Sequence, residues 1–166
     1  MKWIGQHIYD QISRFRDDVY FEAGVNFNTD TVTFTSANTD DPAVIIENTT
    51  DDEQAARLQF FKNRGDGGQD DDHVGEIAFW SYDDGTPTLQ KYGQITCAID
   101  DATSSQESGQ MTFTVATHDG NERKGLKIVG GSASNEVDAT IGNGAASVTT
   151  LEGTLTMGST ATIDNS

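Results

Sequence analysis

Apolar and polar residues alternate in short runs along the middle of this 166-residue chain. In Gln110-Met111-Thr112-Phe113-Thr114-Val115-Ala116-Thr117 the period is two, and His118-Asp119-Gly120 closes the run. Successive side chains on a strand point to opposite faces, so Met111, Phe113 and Val115 line one buried face while Thr112 and Thr114 face outward. Residues 57–60, 76–79 and 125–128 repeat the device. Clusters rich in Asp, Gly, Ser and Pro at 65–73, 83–87, 100–109 and 119–124 separate the runs and supply turns. The pattern predicts short antiparallel strands between Leu58 and Val129. Upstream, Val25-Asn26-Phe27 and Val32-Thr33-Phe34 flank the turn cluster Asn28-Thr29-Asp30, and residues 43–47 read as a short buried strand after Pro42.

Both ends depart from this period. Ile8, Ile12, Phe15 and Val19 are spaced four, three and four apart, a heptad seam that Trp3 and Ile4 extend by a turn. A lone helix this short is marginal in water, because nucleation is costly. It therefore packs on its own domain, on copies of itself or on a larger assembly. From Ser132 onward the chain is rich in Gly, Ala, Ser and Thr, with single aliphatics between turns. Such pieces bury little alone; they suit three chains winding together, or a stacked solenoid. Three regions result: a helix over 1–22 for anchoring or trimerisation, a β-rich body over 23–131, and a slender β shaft over 132–166. The shaft breaks off mid-pattern, which points to a longer protein or to partners covering that end.

The composition fits a thin core. Apolar residues make up 34% of the chain, and 17 glycines bring it to the range usual for globular proteins. A thin core can be completed by another copy. The formal net charge of −17 argues against binding nucleic acid through its phosphates and against docking on anionic lipid. No apolar run approaches the ~20 residues that span a membrane, and no signal-peptide pattern opens the chain. Cys97 is the only cysteine, so no intrachain disulfide forms; it shares a strand face with Ile95 and Ile99 and reads as a small core residue.

Candidate chemistry is sparse. Asp doublets and the triplet Asp70-Asp71-Asp72 fall between strands, where Asp tolerates turn geometry and bonds to nearby backbone. Solvated turns are the plain reading. The sharper one is a Ca²⁺ site at Asp66, Asp70, Asp71 and Asp72, since a hard cation takes six to eight oxygens; the EF-hand spacing and its closing Glu are missing. Arg64-Gly65-Asp66 spells an integrin-recognition tripeptide, a short match that a Gly/Asp-rich loop produces by chance. His7, His73 and His118 are dispersed and lack metal-ligand spacing. No nucleophile elbow and no phosphate-cradling loop appear. Trp80 is out of phase with Phe79 and faces the opposite side. With Tyr82 nearby it is the candidate for stacking on a sugar ring; the alternative buries it at a subunit interface, where aromatics are enriched.

One resemblance draws these features together. Leu58-Gln59-Phe60, Gly75-Glu76-Ile77-Ala78-Phe79, Gly109-Gln110-Met111-Thr112-Phe113, and Glu122-Arg123 leading to Leu126-Lys127-Ile128 resemble a pattern common in bacteriophage tail fibres and tailspikes. The segment from Trp3-Ile4-Gly5-Gln6-His7-Ile8 to Arg14-Phe15-Arg16 resembles the N-terminal segment of marine phage virion proteins, a region that anchors to the particle. The resemblance implies a homotrimeric virion component without enzymatic activity. The Gly-rich hexapeptide that usually follows the last strand is absent, so neither self-cleavage nor chaperone function is implied. The expected architecture is mainly β: a short N-terminal helix, an antiparallel β-sandwich or jelly-roll-like body and a C-terminal shaft, assembled as a parallel homotrimer. The expected role is a tail fibre or appendage component on the virion, held by Trp3, Ile4, Ile8, Ile12, Phe15 and Val19 and aiding host adhesion. Expected partners are its own copies, other virion proteins and a host surface glycan; beyond the Ca²⁺ site no cofactor is expected. Two other classes stay open: a monomeric carbohydrate-binding module using Trp80 and Tyr82, and a glycan-degrading enzyme.

Overall fold

The computed structural model describes residues 24–158 together with Val19 and Phe21. Trp3, Ile4, Ile8, Ile12 and Phe15, and with them the expected N-terminal helix, lie outside the described residues, as does the end of the shaft after residue 158. The chain divides into two units at Ala56/Arg57.

The second unit holds one five-stranded antiparallel sheet in meander order. Its strands are β1 (His73–Tyr82), β2 (Leu89–Asp101), β3 (Ser108–Ala116), β4 (Glu122–Gly130) and β5 (Val137–Ile141). The molecule is thus mainly β, and the described residues include no helix. They build a single sheet. The strands are joined by short turns that settle their own polar groups. Between β1 and β2, Asp83 N–H donates to Thr88 O (3.1 Å) while Asp83 Oδ1 accepts from Thr88 N–H (3.0 Å). Between β3 and β4, Asp119 Oδ1 accepts from the Thr117 hydroxyl (2.6 Å) and from Asn121 N–H (3.1 Å), and Gly120 takes the positive φ of 76° that closes the turn. Asp71 also sits at positive φ (64°), a conformation Asp tolerates better than most residues.

The register sorts the side chains into two faces. Ile77, Ile95, Phe113, Leu126 and Ile141 form one apolar row across all five strands. Beside it runs a second row of Gly75, Cys97, Met111, Ile128 and Ala139. The other face carries Glu76, Thr96, Thr112, Lys127 and Thr140 in register. Register shifts opposite Tyr92 and Gly125 mark bulges, which bend strands and increase twist.

Little covers the apolar face. Phe60 lies against Gly75, so close that a Cβ there would sit 2.8 Å from the Phe60 Cβ. Gly68 closes likewise on the tip of Ile99, and Asp71 and Asp72 exchange backbone hydrogen bonds with Ile99 (both 2.9 Å). These contacts shield one corner. Elsewhere Ile77 is 41% exposed and Ile141 61%, and Phe79 and Val115 are exposed as well. Ala98 is the only buried hydrophobic residue among the described residues.

Three expectations change here. Residues 57–60 form no strand; Phe60 acts as a cap on Gly75 instead. Within the first unit, residues 24–56 contain no strand, and the expected buried strand at 43–47 is exposed, with Ile45 at 83%. Nothing within that stretch pairs with these residues, and a strand exists only through its partner. The third concerns the compositional change at Ser132: it does not coincide with an edge of the sheet, because β5 pairs with β4 from Gly130–Val137 to Leu126–Ile141.

Candidate functional site

The polar face is the more enclosed of the two. Gln94, Thr96 and Thr112 are 9%, 7% and 9% exposed. They line a depression of about 210 Å³ together with His73, Gln110 and Lys124. Strand alternation places them there: Gln94 and Thr96 leave β2 on the same side, and Thr112 and Thr114 leave β3 beside them, paired Thr114 to Gln94 and Thr112 to Thr96. Gln94 Nε2 donates to Thr96 Oγ1 (2.6 Å), which fixes the amide. Thr114 Oγ1 is buried without a hydrogen-bond partner.

Trp80 stands at one end of this face. It pairs with Lys91 across the β1–β2 ladder, past the bulge at Tyr92, while Phe79 pairs with Gly93 on the apolar side. Lys91 Nζ lies 5.4 Å from the Trp80 ring centroid, within cation–π range. The same ammonium is 3.2 Å from Glu122 Oε1 and donates to Gln94 Oε1. Trp80 is nevertheless 54% exposed. Tyr82, two residues along β1, rises from the same face and is also exposed. The structure therefore brings Trp80 and Tyr82 to one end of a polar surface that continues through Lys91, Gln94 and Thr96 to Thr112.

The acidic loop takes a different form from a cation cage. Asp72 Oδ2 accepts from Arg64 Nη1 (2.7 Å) and from Gln69 N–H (3.0 Å), and the Arg64 hydrogen bond is the main cause holding its carboxyl below the usual range. Asp70 Oδ1 accepts from Ala102 N–H (2.8 Å), and Asp66 Oδ1 from Gly67 N–H (2.8 Å). Asp66, Asp70, Asp71 and Asp72 thus serve separate backbone and side-chain donors or the turn itself. Among the described residues no group of three or more His, Cys, Asp or Glu side chains is placed to hold a metal ion. The pairing with Asp72 also occupies the Arg64 of the Arg64-Gly65-Asp66 tripeptide.

Sequence reasoning singled out Trp80 and Tyr82 as candidates but treated Thr112 and Thr114 as simply outward. It passed over Lys91, Gln94, Thr96 and Glu122. The signal was present: Gln94-x-Thr96 and Gln110-x-Thr112-x-Thr114 put hydrogen-bonding groups at every second position of two adjacent strands. No helix of the described residues is long and apolar enough to cross a membrane. Comparison with protein-family models, curated proteins and solved structures finds no match to this chain.

Proposed function

We propose that this chain is a non-enzymatic structural component of a phage tail fibre or virion appendage. It assembles as a parallel homotrimer, is held to the particle through its N-terminal segment, and contributes to host adhesion. The observation that carries the reading is the uncovered apolar face, with its row of Ile77, Ile95, Phe113, Leu126 and Ile141. Completing the burial of these five side chains is worth about 1 kcal/mol each. That total rivals the whole stability of a small domain, about 5 kcal/mol at the low end.

The covering surface is another copy of the chain. In the register, neither apolar row carries a carboxylate, although the chain as a whole has a net charge of −17. Copies that repel one another elsewhere can approach on this side. Each sheet then supplies one wall of a shared core that the two neighbouring copies complete. The exposed apolar residues of the first unit, such as Phe27, Phe34 and Ile45, gain cover in the same way. The heptad seam of Ile8, Ile12, Phe15 and Val19, extended by Trp3 and Ile4, supports a helical anchor or trimer seam at the start of the chain.

The test places a charge where a lone chain would accept it. Ile77 is on the edge strand β1 and already 41% exposed. Ile77→Lys in a monomeric module changes stability by no more than about 0.5 kcal/mol, as surface substitutions do. In the assembly it buries an unpaired ammonium, and the oligomer dissociates on dilution where the parent chain does not. An unchanged sedimentation profile for Ile77→Lys contradicts the proposal.

A further inference from the structure

The polar face poses a question that the assembly does not answer. A sheet side that merely meets water exposes its polar side chains. Here Gln94, Thr96 and Thr112 are more than nine-tenths enclosed, in a depression of about 210 Å³. Enclosing hydroxyl and amide groups is costly unless they find partners. Thr114 Oγ1 lines the same depression and has none. Valine would sit at position 112 or 114 with the same shape and no such cost. The polar groups are also held rigidly, on the central strands β2 and β3 and not on loops.

We propose that this face is a binding site for a neutral glycan, with Trp80 as the stacking platform and Gln94, Thr96 and Thr112 as the hydrogen-bonding floor. The inference rests on the adhesive part of the proposed function and names its ligand and its site. A sugar ring has an apolar face of C–H groups and a rim of hydroxyls, so it needs an aromatic surface beside fixed donors and acceptors. Trp80 offers a large exposed indole on that face, with Tyr82 two residues beyond it. The Gln94 amide, held by Thr96, and the threonine hydroxyls offer both donors and acceptors.

Charge selects the neutral class. Lys91, over the indole, is matched by Glu122 at 3.2 Å. Along the same face Lys127 is in register with Glu76 across the sheet. Lys124, which also lines the depression, leaves one positive charge over, but the net charge of −17 on the whole chain repels acidic sugars. Trp80 lies four residues along β1 from Glu76, the β1 partner of Thr96, a span of about 13 Å at strand rise. A short oligosaccharide reaches from the indole to the depression; a single sugar does not.

The full chain is tested against immobilised neutral oligosaccharides (glucans, mannans and galactans), with uronic-acid polymers alongside, and solution mass is measured on the same samples. The expected result is binding to at least one neutral glycan. Trp80→Ala and, independently, the near-isosteric Thr112→Val should each weaken it by about tenfold or more, equivalent to the loss of about 1.4 kcal/mol. If Trp80→Ala fails to fold, Thr112→Val carries the test. Binding to no neutral glycan, binding to uronic-acid polymers alone, or full affinity in a folded Trp80→Ala or Thr112→Val variant overturns the site. A chain that retains its oligomeric mass yet binds no neutral glycan overturns this inference and leaves the assembly standing. A monomeric chain that binds a glycan does the reverse.

Discussion

The two faces of the sheet invert the usual arrangement. In an antiparallel sheet of a monomer, the apolar face is packed and the polar face is open to water. Here the ends of the row, Ile77 and Ile141, are exposed and its middle is only half-buried, while Gln94, Thr96 and Thr112 are enclosed. Local pattern decides which side chains share a face, because the period of two is fixed by the backbone. What covers each face is not a local matter. The open face needs another surface, and the enclosed one has the chemistry of a site.

The sharpest way to break this contrast uses two neighbours on β3 that leave opposite faces. Phe113 sits in the middle of the apolar row, and Thr112 on the polar side. In an assembly that covers the row, Phe113→Ala should cost about 3–5 kcal/mol in denaturant unfolding, the range for a buried Phe. In a lone chain, where Phe113 is only half-buried, the cost is clearly smaller. Thr112→Val should stay within about 1 kcal/mol, because it removes a hydroxyl without leaving a cavity. Equal, small costs for both would mean that the apolar row is not covered.

The smallest effect belongs to the turns. Asp119 is held well below the ordinary carboxylate range, first by the Thr117 hydroxyl and then by the Asn121 side chain and N–H. A carboxyl with a depressed folded value stabilises the fold above its unfolded value, about 4 for Asp. That contribution fades as pH falls through the folded value. The stability difference between the parent chain and Asp119→Asn should therefore be constant above about pH 5 and shrink below pH 4. A difference that grows on acidification would contradict the hydrogen-bonded turn.

The central strands were legible because each run of alternation is followed by a turn that returns the chain beside it. The 83–87 cluster lies within the turn that joins β1 to β2, and Thr117-His118-Asp119-Gly120 joins β3 to β4. Residues 25–27 and 32–34 carry a similar apolar rhythm around the turn cluster Asn28-Thr29-Asp30, as 43–47 do after Pro42, yet no strand forms over them. Alternation states which face a strand would present; only a partner makes it a strand. The change of composition at Ser132 misled for a related reason. Val137-Asp138-Ala139-Thr140-Ile141 keeps the period of two within a stretch dominated by Gly, Ser and Thr, and it finds a ready edge in β4. Of the candidate site, Trp80 was legible from its phase against Phe79. The enclosure of Gln94, Thr96 and Thr112 was not, because it depends on how the neighbouring strands and their long side chains wall the face.

The most direct test of the account is the mass of the 166-residue chain in solution, followed to nanomolar concentration. A covered apolar face predicts a species three times the 17.9 kDa chain mass that persists on dilution. A stable particle of 17.9 kDa, folded and soluble with the row from Ile77 to Ile141 open to water, would contradict it.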